Sequence, residues 1–417
     1  MIVIAGAGLA GLACALRLEE AGAEWMLLEA SGLPGGRVAG ERTPDGYVID
    51  RGFQVLLDSY PTARRLLDLK ALGPRYFESG ALLADSPEGK GSAPVRITPL
   101  RNPLRSPAFG ATTLFSPFTL GERAALAFPF LLGLAGSEKE AGHSTEEELR
   151  RFGLAGGIRD RFLAPFFSGV FLEAGLGTDA SVFRQDLRYF ATGRALLPSE
   201  GMGEIPRQLV SRLPASRIRY GMRAVSLRSS SERVTGLVTD SGEEIPCDSL
   251  VLSTGEAATC ALLGIPRRRS WKGLTTLYFT GDAPLYRERM LVLPSWRKGT
   301  APDVLHFTDL TNIAPGYAPA GKRLLTATLL NMEGEEAVRA ARKEIGAIFP
   351  GFSTWEFHSQ VRIPEALPEE SPGYRSRMAP LRPFRNVRLA GDQVARASIE
   401  SALASGLEAA DDFLITR

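Results

Sequence analysis

The chain has 417 residues, 44% hydrophobic and 23% charged, with a formal net charge of +2, which is long enough for two domains around sizeable cores. That near-balanced charge excludes a basic nucleic-acid surface, and the one tight basic run, Arg267 to Arg269, reads as a solvated loop. Its three cysteines, Cys14, Cys247 and Cys260, have neither CxxC spacing nor a histidine cluster beside them, which excludes a disulfide framework and a metal site such as zinc.

Met1 runs straight into Ile2-Val3-Ile4-Ala5, so no signal peptide is read. The most apolar stretch, 124 to 135, is interrupted by Pro129 and falls short of the roughly 20 residues needed to span a bilayer. The expectation is a cytoplasmic protein with no transmembrane segment, with peripheral membrane contact left open.

In chain order, Ile2 to Ala30 reads as strand, glycine-rich turn, helix and strand. The apolar run Leu12, Leu16, Leu18, Ala21 marks the helix and Trp25 to Leu28 the second strand, a βαβ unit. Residues 74 to 129, rich in Pro, Gly, Phe and Ser, read as long irregular connections whose apolar residues want burial. A helix is expected over Ser144 to Phe152, with Glu146, Glu147 and Glu148 at its N-terminus. Ile205 to Leu213 reads as a helix, Ile218 to Tyr220 as a strand, Ala224 onward as a hairpin turning around Ser229 to Glu232, and Leu250 to Ser253 as a buried strand.

Beyond Ile265 the character changes. Thr275 to Thr280, Arg289 to Leu293, Val304 to Thr308 and Arg323 to Leu330 are β-rich, followed by a helix around Glu335 to Ile348 and a strand at Trp355 to Ile363. An antiparallel sheet with a covering helix follows. Val387 to Ala390 makes a last short strand, and a helix running to Leu414 repeats apolar residues at Ile399, Leu403, Leu407, Ala410 and Leu414.

Chemistry concentrates at the two ends. Gly6, Gly8 and Gly11 form GxGxxG between a strand and a helix, with Leu9 and Ala10 at the start of that helix, the context in which the motif binds a dinucleotide. The first glycine allows the tight turn, the second lets pyrophosphate approach the backbone, and the third lets helix and strand pack closely. Glu29, followed by Ala30, ends the second strand, where a carboxylate accepts from ribose hydroxyls. Pro34-Gly35-Gly36-Arg37 then separates FAD from NAD, because two glycines let the chain pass an extended cofactor and the arginine can fork onto pyrophosphate. Near the other end, Ala390-Gly391-Asp392 follows the last strand, its carboxylate suited to a ribityl hydroxyl or a water near phosphate.

The run LEASGLPGGRV, followed by Tyr47-Val48-Ile49-Asp50-Arg51-Gly52, resembles the flavin-containing amine oxidase and phytoene desaturase superfamily, which includes protoporphyrinogen oxidase. The resemblance covers both ends and a return in the middle, and is weak across the substrate regions. It implies that Gly52, Phe53 and Gln54 run close to a flavin ring, although Phe53 also reads as ordinary core. It implies that Gly201-Met202-Gly203 re-enters the FAD domain, that the backbone of Ala224 and Val225 meets adenine, and that a helix beginning near Ile399 points its N-terminus at the flavin. Ser401 stands where the family usually has glycine.

Amine oxidases of this superfamily carry a lysine on the first substrate-domain strand and an aromatic residue before the C-terminal Ile-Glu pair. Here those positions are Leu274 and Ser398, and the nearby Lys272 reads as a surface residue. No cysteine lies near the C-terminal flavin segment, so the FAD is expected to be non-covalent. Phe109, Phe115, Phe118, Phe128 and Phe130 read either as a tunnel lining or as core. His143, His306 and His358 have no ligand spacing and read as structural or solvated.

The expected fold is therefore α/β: a Rossmann-like FAD-binding domain assembled from residues 1–75, 195–265 and 375–417, plus an α+β substrate domain with an antiparallel sheet from 76–194 and 266–374. The expected function is oxidation or desaturation of a small hydrophobic, isoprenoid-like substrate by hydride transfer to FAD. Amine oxidation, and flavin-dependent isomerisation without net redox, are the alternatives. Catalytic side chains and oligomeric state are not legible.

Overall fold

The computed structural model describes residues 1–85, 95–101, 118–122, 139–295, 301–377 and 384–415. A five-stranded parallel sheet collects strands from across the whole chain, in the order Ile218–Tyr220, Trp25–Glu29, Ile2–Ala5, Ser249–Leu252, Val387–Leu389. The central strand Ile2–Ala5 is buried at all four residues. That continuous apolar run is what a parallel strand covered on both faces requires. The helix Leu9–Glu20 and the C-terminal helix Ile399–Ile415 pack together, joining Leu12 and Leu16 to Leu403 and Ala410 in one core. An antiparallel ribbon, Ala224–Ser230, Arg233–Thr239 and Glu244–Pro246, turns at Ser231, whose φ is +53°.

The second sheet has seven strands, in the order Glu356–Pro368, Trp271–Gly281, Arg323–Leu329, Val304–Asp309, Leu291–Pro294, Gly80–Asp85, Arg96–Arg101. It is mixed rather than purely antiparallel, because Leu291–Pro294 runs parallel to Gly80–Asp85. The stretch expected to be irregular connections thus contributes two sheet strands, while Phe109, Phe115, Phe128 and Phe130 lie outside the described residues. In Gly80–Asp85, Ala81 to Ala84 are all buried and do not alternate, so the period-2 signal that marks a one-sided strand is missing.

The two faces of this sheet differ. Leu277, Phe279, Phe307, Leu325, Ala327 and Leu329 face the helix Gly334–Ile348, which closes over them with Ala337, Ala341, Ile345 and Ile348. Full burial of each large apolar side chain there stabilises the fold by about 1.5–3 kcal/mol. The opposite face carries Thr276, Tyr278, Thr326 and Thr328 and turns toward the N-terminal segment. There the Tyr278 hydroxyl donates to the Asp50 carbonyl at 2.8 Å and the Tyr317 hydroxyl to Asp50 Oδ2 at 2.6 Å. Burial pushes the Asp50 carboxyl up to about 6.

A helical layer completes the chain. Thr145–Arg151 starts at Ser144 with a capping box to Glu147. Ala164–Phe171 and Ala180–Thr192 follow and bury Phe167, Phe171 and Phe183. The first of these, APFFSGVF, is apolar on almost every side and offers no 3.6-residue contrast to read from sequence. Arg269 departs from the solvated-loop expectation: it is buried, 3.6 Å from Glu256 and over the Trp271 ring. Among the described residues no helix is long and apolar enough to cross a membrane.

Candidate functional site

Between the two sheets lies one continuous cavity of about 1620 Å³, above the roughly 300–1,000 Å³ of an ordinary small-ligand pocket. Its first end is built largely from backbone. Gly6, Gly8, Leu9, Ala10, Glu29, Ala30, Gly36 and Arg37 line it, joined by Gly52, Phe53, Gln54, Ala224, Gly391, Asp392 and Ile399. Segments hundreds of residues apart therefore meet at one cavity.

The glycine turn divides its work. A Cβ on Gly11 would lie 2.0 Å from the Gly6 carbonyl oxygen, whereas one on Gly8 would meet nothing within 4 Å. Gly11 accordingly does not line the cavity; it lets helix and strand touch. Gly8 leaves the cavity wall open, and the helix that follows it begins with no side-chain cap, so its first N–H groups are available to an anion. Glu29 Oε2 accepts from the Ala7 N–H at 2.7 Å and Oε1 from both the Ser31 N–H and hydroxyl at 2.8 Å, which holds the carboxylate at the strand end while leaving acceptor capacity on Oε2.

Arg37 bridges the two ends of the chain. Its guanidinium lies 2.5 Å from Asp392 Oδ2 and donates to the Ala366 carbonyl at 2.9 Å. The Asp392 contact is a close ion pair rather than a directed hydrogen bond, so among the described residues the buried Oδ2 still lacks a hydrogen-bond donor. The Gln54 amide donates to the carbonyls of Arg37, at 2.7 Å, and Arg51, at 3.0 Å, fixing the loop that carries the arginine.

Val225 does not line the cavity, and its side chain is exposed. A bulge between Ala224 and Ser226 falls on it, and the extra residue of a bulge is left out of the ladder. At the C-terminal helix, Ser398 accepts from the Ser401 N–H at 3.0 Å, and Ala397, Ser398 and Ile399 line the cavity. Glu400 turns away and accepts from the N–H groups of Thr62, at 2.9 Å, and Ala63, at 3.2 Å.

The other end is built from side chains. Phe77, Phe118, Phe162, Phe166, Phe167 and Phe190 line it together with Leu172 and Leu187. Leu274 stands beside Gly52, where a glycine Cβ would meet the Leu274 Cδ1 at 3.6 Å and the Ile363 Cδ1 at 3.1 Å. Lys272 is not the solvated surface residue expected: it pairs with Glu173, donates to the Phe171 carbonyl at 3.1 Å, and lines the cavity.

Three lining groups were not anticipated from the sequence. Arg396 pairs with Asp186 at 2.9 Å, and Glu370 accepts from the Ala397 N–H at 2.9 Å, its carboxyl pushed up to about 7 by burial. His143 and His358 lie beside Glu148, at 2.6 Å, and Asp45, at 3.2 Å, whereas His306 is buried in the cavity wall. Among the described residues no group of three or more His, Cys, Asp or Glu side chains is placed to hold a metal ion.

Comparison with known proteins agrees with this architecture. Residues 9–414 match the family model described as flavin containing amine oxidoreductase. A phytoene dehydrogenase from Streptomyces griseus is 29% identical over 295 residues, 63% of this chain and 56% of that protein. The match thus spans little more than half of that relative's length. In structure, putrescine oxidase bound to putrescine superposes with a TM-score of 0.74 at 14% identity, covering 100% of this chain and 99% of the other. Reduced UDP-galactopyranose mutase superposes at 0.69 and 17%, covering 100% and 96%. These two share the fold. The chain belongs to the flavin containing amine oxidoreductase family, and FAD is its cofactor.

Proposed function

We propose that this protein oxidises or desaturates a small apolar, isoprenoid-like molecule, with FAD held non-covalently at the glycine-lined end of the cavity. When bound, the flavin supplies the two-electron acceptor. The observation that carries the substrate reading is the aromatic chamber beyond Gly52 and Phe53, with Leu274 rather than a lysine facing Gly52. A wall of phenylalanines shields and orients an apolar chain.

In this reading the uncapped helix start at Gly8, Leu9 and Ala10 takes the pyrophosphate, assisted by Arg37 and Gly36, while Glu29 and Ala30 take the adenosine ribose. The bulge at Val225, next to Ala224, frees backbone for adenine. Gly52, Phe53, Gln54, Gly391, Asp392 and Ile399 surround the flavin end. Gly11 serves the same site indirectly, by close packing. The domain division at 1–75, 195–265 and 375–417 against 76–194 and 266–374 belongs to this assignment and is supported by the membership of the two sheets. Peripheral membrane contact by a cytoplasmic protein belongs to the same reading; the membrane part is supported by Leu120, which lines the cavity and is 74% exposed.

Anaerobic addition of C15 to C40 isoprenoids and of primary amines to the purified holoprotein tests the reading. Bleaching of the visible flavin band by an isoprenoid, and not by amines, is the expected result; bleaching by amines alone overturns it. Turnover without an electron acceptor would instead favour an isomerase.

A further inference from the structure

The sheet face turned toward Gly52 carries a row of polar atoms without partners. Thr276 pairs in register with Thr328, and Thr328 with His306, so the three side chains lie side by side across three strands on one face. Thr276 begins the row beside Gly52, where a glycine Cβ would lie 3.7 Å from Thr276 Oγ1. His306 ends it in the cavity wall, its ring 5.2 Å from that of Phe53. Thr276 Oγ1, Thr328 Oγ1 and His306 Nε2 are all buried and make no hydrogen bond among the described residues.

His306 is the most telling of the three. It is 4% exposed, and neither ring nitrogen has a hydrogen-bond partner among the described residues. Space for the ring is made by Gly169, where a Cβ would lie 2.4 Å from Nδ1. Burial pushes the imidazole down to about 4, so near neutral pH it is uncharged and offers one donor and one acceptor. An unpartnered buried polar group loses its hydration without replacement, and leucine would pack this wall at no such cost.

We propose that the His306 end of this row, the part that lines the cavity, is a subsite for one uncharged oxygen, a hydroxyl or a carbonyl, carried by an otherwise apolar substrate, with His306 as its hydrogen-bond partner and specificity-determining residue. The inference rests on the apolar-substrate reading above and narrows it. A pure hydrocarbon leaves the imidazole unpaired, whereas a molecule with a single oxygen pairs it.

The test uses FAD-loaded protein titrated with farnesol and with the hydrocarbon farnesene, binding being read from perturbation of the flavin spectrum. Wild type should bind farnesol about tenfold more tightly, and His306→Leu should bring the ratio near one by weakening farnesol. In wild type labelled with 15N-histidine, farnesol and not farnesene should shift one of the three histidine signals, the one lost in His306→Leu. Equal binding of the two probes by wild type, or an unchanged ratio in the variant, overturns the subsite and leaves the apolar-substrate reading standing. Should the variant fail to fold, an absence of any farnesol-induced histidine shift in wild type overturns it alone. If neither probe binds, the apolar reading falls and the subsite falls with it.

Discussion

The two ends of the cavity are made of different material. At the cofactor end the wall is largely backbone, a glycine turn, a helix start and a bulge, and its charges are held close to home: Glu29 by Ala7 and Ser31, Arg37 by Asp392. At the other end the wall is side chain, with Phe77, Phe118, Phe162 and Phe190 arriving from four separate segments. Each piece of a backbone wall is specified by residues within one turn of each other, even where the pieces come from distant parts of the chain, and tolerates little change. A wall of side chains depends on distant segments and can be rebuilt one residue at a time, which makes it the natural place for specificity.

The contrast can be broken most forcefully inside the glycine turn. Gly11→Val places a side chain where the Gly6 carbonyl already stands 2.0 Å away, and overpacking of this kind costs about 3 kcal/mol. Thermal unfolding of the apoprotein should shift down clearly, with loss of bound flavin; an unaltered melting temperature would contradict the packing role.

Asp50 tests the seam between the two ends. Its folded-state value, about 6, lies above its ordinary 3.8, so its contribution to stability is full below pH 3.8 and is lost as pH rises through 6, an effect of about 3 kcal/mol. Urea unfolding of wild type and Asp50→Asn at pH 4 and pH 7 should show the wild type losing more stability over that interval than the variant. Glu370, also raised by burial, adds a slope of the same sign to both proteins, so the difference between them isolates Asp50.

Gly8 sharpens the comparison from the opposite side. Its φ of −70° suits any residue and a Cβ there meets nothing, so Gly8→Ala should leave apoprotein stability unchanged yet weaken FAD about tenfold, as should Glu29→Ala through loss of hydrogen bonds. Flavin release followed by equilibrium dialysis reads both. A Gly8→Ala protein that keeps full affinity would show that the ligand does not approach there. The smallest effect is expected at Ser398→Ala, where losing the N-terminal cap of the last helix costs about 1 kcal/mol, seen as a small drop in melting temperature.

How much of this was legible in the sequence follows the same division. The βαβ unit, the glycine spacing, Glu29, the Pro-Gly-Gly-Arg run and the returning strand at Leu250 all announce themselves locally, because turn geometry and apolar periodicity are written within about a dozen residues. The strand Gly80–Asp85 and the helix Ala164–Phe171 do not, since segments buried on both sides lose the polar contrast that periodicity needs.

Side-chain chemistry in the chamber is legible least of all. Lys272 looks like a surface lysine until Glu173 and the Phe171 carbonyl close on it, and Arg269 like a solvated one until Glu256 and Trp271 do. His306 fits into the cavity wall because Gly169, far away in sequence, leaves room for its ring. The flavin family and the glycine turn could be read from the amino-acid order alone, because both are written in local geometry. Which polar groups are buried together, and which are left without a partner, is set on folding, because desolvation and hydrogen-bond satisfaction depend on every segment that surrounds a group.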